Sequence, residues 1–367
     1  MTIFKIEREL LINPLKKINS SLSNRYNLFI TNNLLIKTKN NNLFLIGTDL
    51  EIEIIACIYL SEKYINKEIT VDANKFYNIC NNMPTKSTIQ IQFESKFIII
   101  SSKNSKYFLS SQSSINFPKI NYLNIKAKFS VSNIQLKNIL ESVYFAMANN
   151  DARYFLNGML LEIDGKILKA VATNGHRLAI NYIYIENTNY KHSLIIPRKG
   201  IIELMRILGN VENFLKIEIY ENNIKINFKN YVFTSKLIDG SFPNYNSIIT
   251  NKFSKILQVN CKILKEACVR ASILSNDKIK IIYFELKLNK LKIISNNQLQ
   301  EKSEETIDVI YNDKSIKIAL NVNYIIDVLK HIKSNDLKLM LTDERSSVHI
   351  TDTCNKNYIY IVMPIRL

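Results

Sequence analysis

Three stretches of this 367-residue chain repeat one pattern about 125 residues apart, beginning at Phe4, Phe129 and Leu257. Such a period marks a structural unit used more than once. Each copy opens with two alternating apolar residues: Phe4 and Ile6, Phe129 and Val131, Leu257 and Val259. Alternation suits a strand. Each copy then changes to i, i+4, i+7 spacing, as Leu11, Leu15, Ile18, then Leu136, Leu140, Val143, then Leu264, Cys268, Ala271. That spacing predicts one face of an amphipathic helix.

A second triplet keeps the period. The segments Val71–Ile79, Ile196–Leu204 and Leu320–Val328 each read as a strand end followed by a short helix. Asp72 and Asn321 stand where a helix N-cap is needed, and Pro197 suits a first turn. A third triplet alternates like a strand: Ile89/Ile91/Phe93, Leu215/Ile217/Ile219 and Leu337/Leu339/Leu341. Three ordered triplets predict three copies of one domain, over 1–126, 127–253 and 254–367. Each copy has two helices and several short strands, an α+β class. The competing reading is chance recurrence of strand-helix units in one large domain.

Composition narrows the function. Lys and Arg number 49 against 32 Asp and Glu, a net charge of +17. That excess fits a polyanion partner, most simply nucleic acid. It also fits a genome rich in A/T codons, since Lys, Ile and Asn are all abundant. Hydrophobic residues make up 47% of the chain, enough for packed cores. No apolar run reaches membrane-spanning length. Acids in the first ten residues argue against a signal or transit peptide. Five scattered cysteines without a C-x-x-C pair read as reduced thiols, so a cytoplasmic location is expected. Four dispersed histidines give no zinc-ligand spacing, and seven glycines form no phosphate-binding loop. No metal and no cofactor are expected.

The charges on the proposed helices carry more information than the total. The first helices hold Arg8, Lys16, Lys17, Lys137, Lys262, Lys265 and Arg270. The second hold Lys75, Arg198, Lys199, Arg206, Lys330 and Lys333. They fall between the apolar positions, so they are expected to face away from the sheets. One such face is ordinarily just solvated. The same sign on six related helices predicts a shared basic surface, interrupted by Glu9, Glu141 and Glu203.

On this three-repeat frame the chain carries Thr48–Glu51 (TDLE), Asp151–Gly158 (DARYFLNG), Ala172–Leu178 (ATNGHRL), Ile196–Gly200 (IPRKG), Asp239–Tyr245 (DGSFPNY) and Val362–Leu367 (VMPIRL). In this order they resemble the bacterial sliding clamps, the β subunits of DNA polymerase III, over essentially the full length. The resemblance implies a head-to-tail homodimeric ring of clamp-type domains that encircles duplex DNA and tethers the polymerase, with no catalytic residues. Helix packing agrees on size. Twelve lining helices at about 9 Å spacing enclose a circle of axes about 35 Å across, leaving a hole of roughly 25 Å, which admits a duplex about 20 Å wide. Phosphate contacts carry no sequence information, so such a ring can slide.

The resemblance also implies site residues. DNA contacts fall on Arg25, Lys75, Asn150, Tyr154, Phe155, Arg198, Lys199 and Arg206. For Phe155, ordinary core packing is the competing role. A pocket for short peptides of polymerases, clamp loader and repair proteins is implied between the second and third repeats. One wall comprises Leu156, Thr173, Gly175, His176, Arg177, Leu178, Pro243 and Ile248. The other comprises Asn321, Tyr324, Ser347, Val362, Met363, Pro364, Ile365 and Arg366. Ser247 and Arg345 depart from the pattern, which often has Arg and a small apolar residue there. The dimer contact is implied to set Lys103, Lys106, Tyr107 and Leu109 against Ile273, Leu274, Glu301, Glu304 and Glu305 of the second copy, with Lys302 among the acids.

Two other classes compete. One is a nucleic-acid-modifying enzyme using Asp151, His176 and Asp239 around a metal, although close ligand spacing is missing. The other is a monomeric basic protein that coats DNA without encircling it. The partners implied for the clamp are double-stranded DNA, a second copy, the polymerase III catalytic subunit and an ATP-driven loader.

Overall fold

A computed structural model describes residues 2–22, 32–186, 188–249, 252–275 and 280–366. Six α-helices occur among them: α1 (Arg8–Ser21), α2 (Ala73–Asn81), α3 (Asn133–Glu141), α4 (Arg198–Ile207), α5 (Cys261–Ser272) and α6 (Val322–Leu329). The chain forms two compact units, 1–134 with 199–237, and 135–198 with 238–367.

The first unit is built on one antiparallel sheet. Its strands run in the order Thr2–Glu7, Thr88–Phe93, Phe97–Ser102, Ser105–Gln112, Ile52–Asp72, Tyr231–Lys236, Asn223–Asn227, Phe214–Tyr220, Ile125–Ser132. Strand Asn33–Thr48 pairs with Ile52–Asp72 off this path. The predicted strand residues Ile89, Ile91, Phe93, Leu215, Ile217 and Ile219 are all buried. α1 lays Leu11, Leu15 and Ile18 onto this sheet. Gly47 makes that approach possible, because a Cβ there would sit 2.3 Å from Ile18 Cγ2. The strand pair Ile54–Phe233 joins the first sequence repeat to the second within this sheet.

The second unit holds two sheets. The larger runs Lys191–Pro197, Gly158–Asp164, Ile167–Thr173, Arg177–Tyr184, Ile359–Val362, Val348–Asp352, Asp336–Leu341, Lys255–Asn260. The smaller runs Lys302–Asp308, Lys290–Asn296, Ile281–Lys287, Ile316–Asn321. α5 buries Leu264, Cys268 and Ala271, and α6 buries Ile325 and Val328, as the spacing predicts. Each buried aliphatic side chain contributes about 1.5–3 kcal/mol. The pairs Arg177–Val362 and Leu178–Ile361 join the second repeat to the third.

Both expected caps form. The Asp72 carboxylate accepts from Lys75 N at 2.8 Å, and the Asn321 side chain accepts from Asn323 N at 3.0 Å. Three expectations are corrected. Pro197 ends a strand instead of entering α4, which begins at Arg198. α6 stops at Leu329, so Lys330 is its C-cap and Lys333 lies beyond it. The helix charges do not all face solvent: Glu203 is buried, and Lys17 is half-buried with its ammonium donating to Ile207 O at 3.2 Å.

Candidate functional site

The second unit gathers most of the expected pocket residues around one tight turn. Thr173 Oγ1 accepts from Gly175 N at 3.1 Å and donates to Arg177 O at 2.6 Å. The Asn174 side chain accepts from His176 N and Arg177 N at 3.0 and 3.1 Å. Gly175 sits at φ 86°, the left-handed region that favours glycine. Strand Ile359–Val362 pairs alongside, and Met363 N continues the ladder to His176 O at 2.9 Å. Beyond it, Ile365 N donates to Ala319 O at 2.8 Å. The carboxyl-terminal tail is thereby tied to both sheets of the unit.

Arg177 braces the turn. Its Nη1 lies 2.7 Å from Asp327 Oδ2, and its Nη2 donates to Phe145 O. The guanidinium stacks 4.5 Å from the Tyr324 ring centroid and 5.3 Å from that of Phe145. Asn174 Nδ2 reaches Tyr324 OH at 3.4 Å. Below the turn lies an apolar cluster of Leu160, Val171, Leu178, Ile180, Ile195, Tyr245 and Ile361. Phe155, Phe242 and Ile248 pack on it half-buried. Leu156 is fully buried beside them, and Pro243 is exposed. Ser347 Oγ meets His349 Nε2 at 3.2 Å. Burial holds the His349 imidazole below its usual range, partly offset by backbone of Ile248.

The departures are also placed. Ser247 is exposed and donates to Asn244 O at 3.0 Å, while exposed Arg345 rides a turn held by Asp343. Pocket-side residues absent from the sequence expectation are Phe145, Asn174, Ile361 and Asp327. For Asp327 a signal existed: Tyr324 and Asp327 stand three apart on one helix, hence on one face.

The expected nucleic-acid contacts fall into two groups. Lys75, Asn150 and Tyr154 are exposed, Tyr154 at 56%. Asn150 takes φ 57°, a conformation Asn tolerates. The others already have partners. Lys199 Nζ is paired with the buried Asp49 carboxylate, Arg206 Nη1 with Glu203 at 2.6 Å, and Arg198 Nη1 donates to Met147 O at 3.2 Å. Phe155 packs against the apolar cluster and edge-on to Tyr154. Arg25 lies outside the described residues.

Of the metal triad considered from sequence, Asp151 is occupied by Arg153, whose Nε and Nη2 both lie 3.0 Å from its oxygens. That fork holds the Asp151 carboxyl down to about 2. Among the described residues, no group of three or more His, Cys, Asp or Glu is arranged to hold a metal ion.

The expected dimer residues line two strand edges, one in each unit. Strand Ser105–Gln112 pairs with its neighbour Ile52–Asp72 only at Ser111 and Gln112, so the stretch 105–110 has one open edge. Tyr107 and Phe108 are exposed there, whereas Leu109 turns inward. Strand Lys302–Asp308 is an outer strand of its sheet. Ile273 beside it is 72% exposed. The acids are partly neutralised: Glu305 by Arg270 at 2.9 Å, Glu304 by Lys292 at 2.7 Å and by Lys302. Those two lysines hold the Glu304 carboxyl down to about 2.

Three family models match the chain in order: the DNA polymerase III beta subunit N-terminal domain over residues 2–121, the central domain over 130–244 and the C-terminal domain over 246–366. The chain belongs to the DNA polymerase III beta subunit family. The beta sliding clamp of Salmonella typhimurium is 41% identical over 364 residues, covering 99% of this chain and all of that protein. The beta sliding clamp of Escherichia coli K12 is 40% identical over the same span. A Pseudomonas aeruginosa sliding clamp crystallised with griselimycin superposes with TM-score 0.96 at 36% identity, each chain fully covered. Within this family the threefold repeat is the three clamp domains.

Proposed function

We propose that two copies of this clamp close head to tail into a ring around duplex DNA. The chain is a non-catalytic sliding clamp that tethers DNA polymerase III. The observation that carries this reading is the agreement of three family domains, full-length relatives and a full-length superposition on one chain. Its three domains are 1–126, 127–253 and 254–367, as the repeats divide them.

Closure would pair the open edge at Ser105–Ser110 with strand Lys302–Asp308 of a second copy, extending one sheet into the next. Exposed Tyr107, Phe108 and Ile273 supply an apolar centre, and Lys103, Lys106 and the Glu301–Glu305 acids a charged rim. Ordinary edge strands are protected against such pairing, so two open edges favour a specific partner, with the charge contribution limited because Arg270, Lys292 and Lys302 already pair with Glu305 and Glu304. Phosphate contacts fall first on the exposed Lys75, Asn150 and Tyr154. Lys199 must leave Asp49 to reach phosphate, whereas Arg198 and Arg206 each commit one guanidinium nitrogen and keep the others for it. Residence comes from the closed ring more than from the grip.

The turn Thr173–Arg177, the apolar cluster and the tail Met363–Arg366 form the pocket for peptides of the polymerase catalytic subunit, the ATP-driven loader and other polymerases and repair proteins. Met363 adapts to varied guests. The protein acts in the cytoplasm, and its free cysteines suit a reducing compartment.

Primer extension on a long primed circle, with polymerase core and loader, tests this. Products should lengthen many-fold when the chain is added. Unchanged product length would overturn the reading.

A further inference from the structure

Beside the tail, a recess of about 640 Å³ is lined by Tyr283, Lys317, Ala319, Glu344, Arg345 and the segment Pro364–Arg366. Its size falls within the range of ligand clefts, about 300–1,000 Å³, and is too small for a duplex about 20 Å across. Three cations, Lys317, Arg345 and Arg366, face one acid, Glu344. Arg345 and Arg366 make no ion pair among the described residues. Lys317 lies 4.9 Å over the Tyr283 ring, with Glu285 near enough to feel its charge.

The site is held in shape. Asp343 Oδ1 accepts from Arg345 N and Ser346 N at 2.9 and 2.8 Å. Ser346 Oγ accepts from Thr342 N and Asp343 N at 3.0 and 2.9 Å. This closed turn presents Arg345 to the recess. The opposite wall is fixed by Ile365 N on Ala319 O.

We propose that this recess takes the acidic flank of a partner peptide, two adjacent carboxylates beside its hydrophobic motif. The inference rests on the pocket reading, because the tail residues Pro364–Arg366 that line the recess also form the pocket's edge. The tail runs from Met363 through Pro364–Arg366 to the recess, so a peptide seated on Met363 would have one flank within reach of it. Arg345 and Lys317 then set preference: they do not anchor the motif, and they select what adjoins it.

The test uses the full-length protein and three fluorescent peptides sharing one motif of Gln plus large apolar residues. One carries Asp-Asp at its amino end, one at its carboxyl end, and one Asn-Asn. One acidic peptide should bind about fivefold tighter than the Asn form at low salt, as two partly exposed ion pairs allow. The gap should close at high salt. The end that matters reads the direction of the bound peptide. Lys317→Glu with Arg345→Glu should reverse the preference, so that the Asn peptide binds tighter than either acidic one. Equal affinity for all three peptides, or a preference surviving in the double variant, overturns the proposal. A double variant that loses duplex affinity while keeping the peptide preference assigns the recess to DNA phosphate, which also overturns it. Failure of every peptide to bind instead removes the pocket reading itself.

Discussion

Arg177 and Asp327, 150 residues apart, form a 2.7 Å ion pair that ties the Thr173–Arg177 turn to helix α6. The guanidinium is largely buried and Asp327 about a quarter exposed, with Lys330 on its other oxygen at 3.1 Å. Removing one partner leaves the other desolvated and unpaired. Asp327→Ala should therefore cost about 2 kcal/mol in chemical denaturation and weaken peptide binding at least tenfold. Asp327→Asn, which keeps a hydrogen-bond acceptor for Arg177, should recover most of the affinity. Full peptide affinity in Asp327→Ala would show that the turn stands without this brace.

Lys75 and Lys199 are both candidate phosphate contacts, yet their surroundings differ. Lys75 is exposed on α2, whereas Lys199 is committed to buried Asp49, whose other oxygen accepts from Glu51 N and Ile52 N at 3.0 and 2.7 Å. Replacing Lys75 with Ala should lower the slope of log affinity against log salt by about 0.9. Lys199→Ala should leave the slope nearly unchanged and lower stability, because Asp49 loses its counter-ion. Duplex-binding titrations at several salt concentrations separate the two.

Glu203 gives a pH dependence. Burial raises its carboxyl above the ordinary 4.5, and nearby Arg206 and Lys199 only partly offset this. A raised pKa means the folded state holds its proton more tightly than the unfolded one. The stability it adds is complete below about 4.5 and is lost as pH rises through the raised value. Glu203→Gln should thus raise the melting temperature at pH 7 relative to the parent, and the difference should vanish near pH 4. A melting difference independent of pH would contradict this.

Self-association should depend on Ile273, exposed beside the outer strand Lys302–Asp308. Ile273→Asp should shift sedimentation from dimer to monomer at micromolar concentration, with the far-ultraviolet circular dichroism of the folded chain unchanged. A dimer of unaltered stability would place the contact elsewhere.

The local structure of the chain was legible wherever a period or cap sufficed. Leu264/Cys268/Ala271 and Ile89/Ile91/Phe93 are buried as their spacing requires, and Asp72 and Asn321 cap their helices. Fine boundaries were less so, because Lys330 continues the α6 pattern only as its cap. The motifs named the residues that gather at the Thr173–Arg177 turn, but not the pairs that brace it. Arg177–Asp327 and Lys199–Asp49 each join residues 150 positions apart, and no local period encodes such a pair. The sheets that cross repeat borders, at Ile54–Phe233 and Arg177–Val362, are invisible for the same reason: an outer strand looks alike whether or not a neighbour completes it.

Encirclement is tested most directly by loading the protein on nicked circular DNA with an active loader, then linearising the circle. Retention on the intact circle in high salt, followed by loss when the circle is cut, is the result predicted. Release from the intact circle in moderate salt would contradict the clamp.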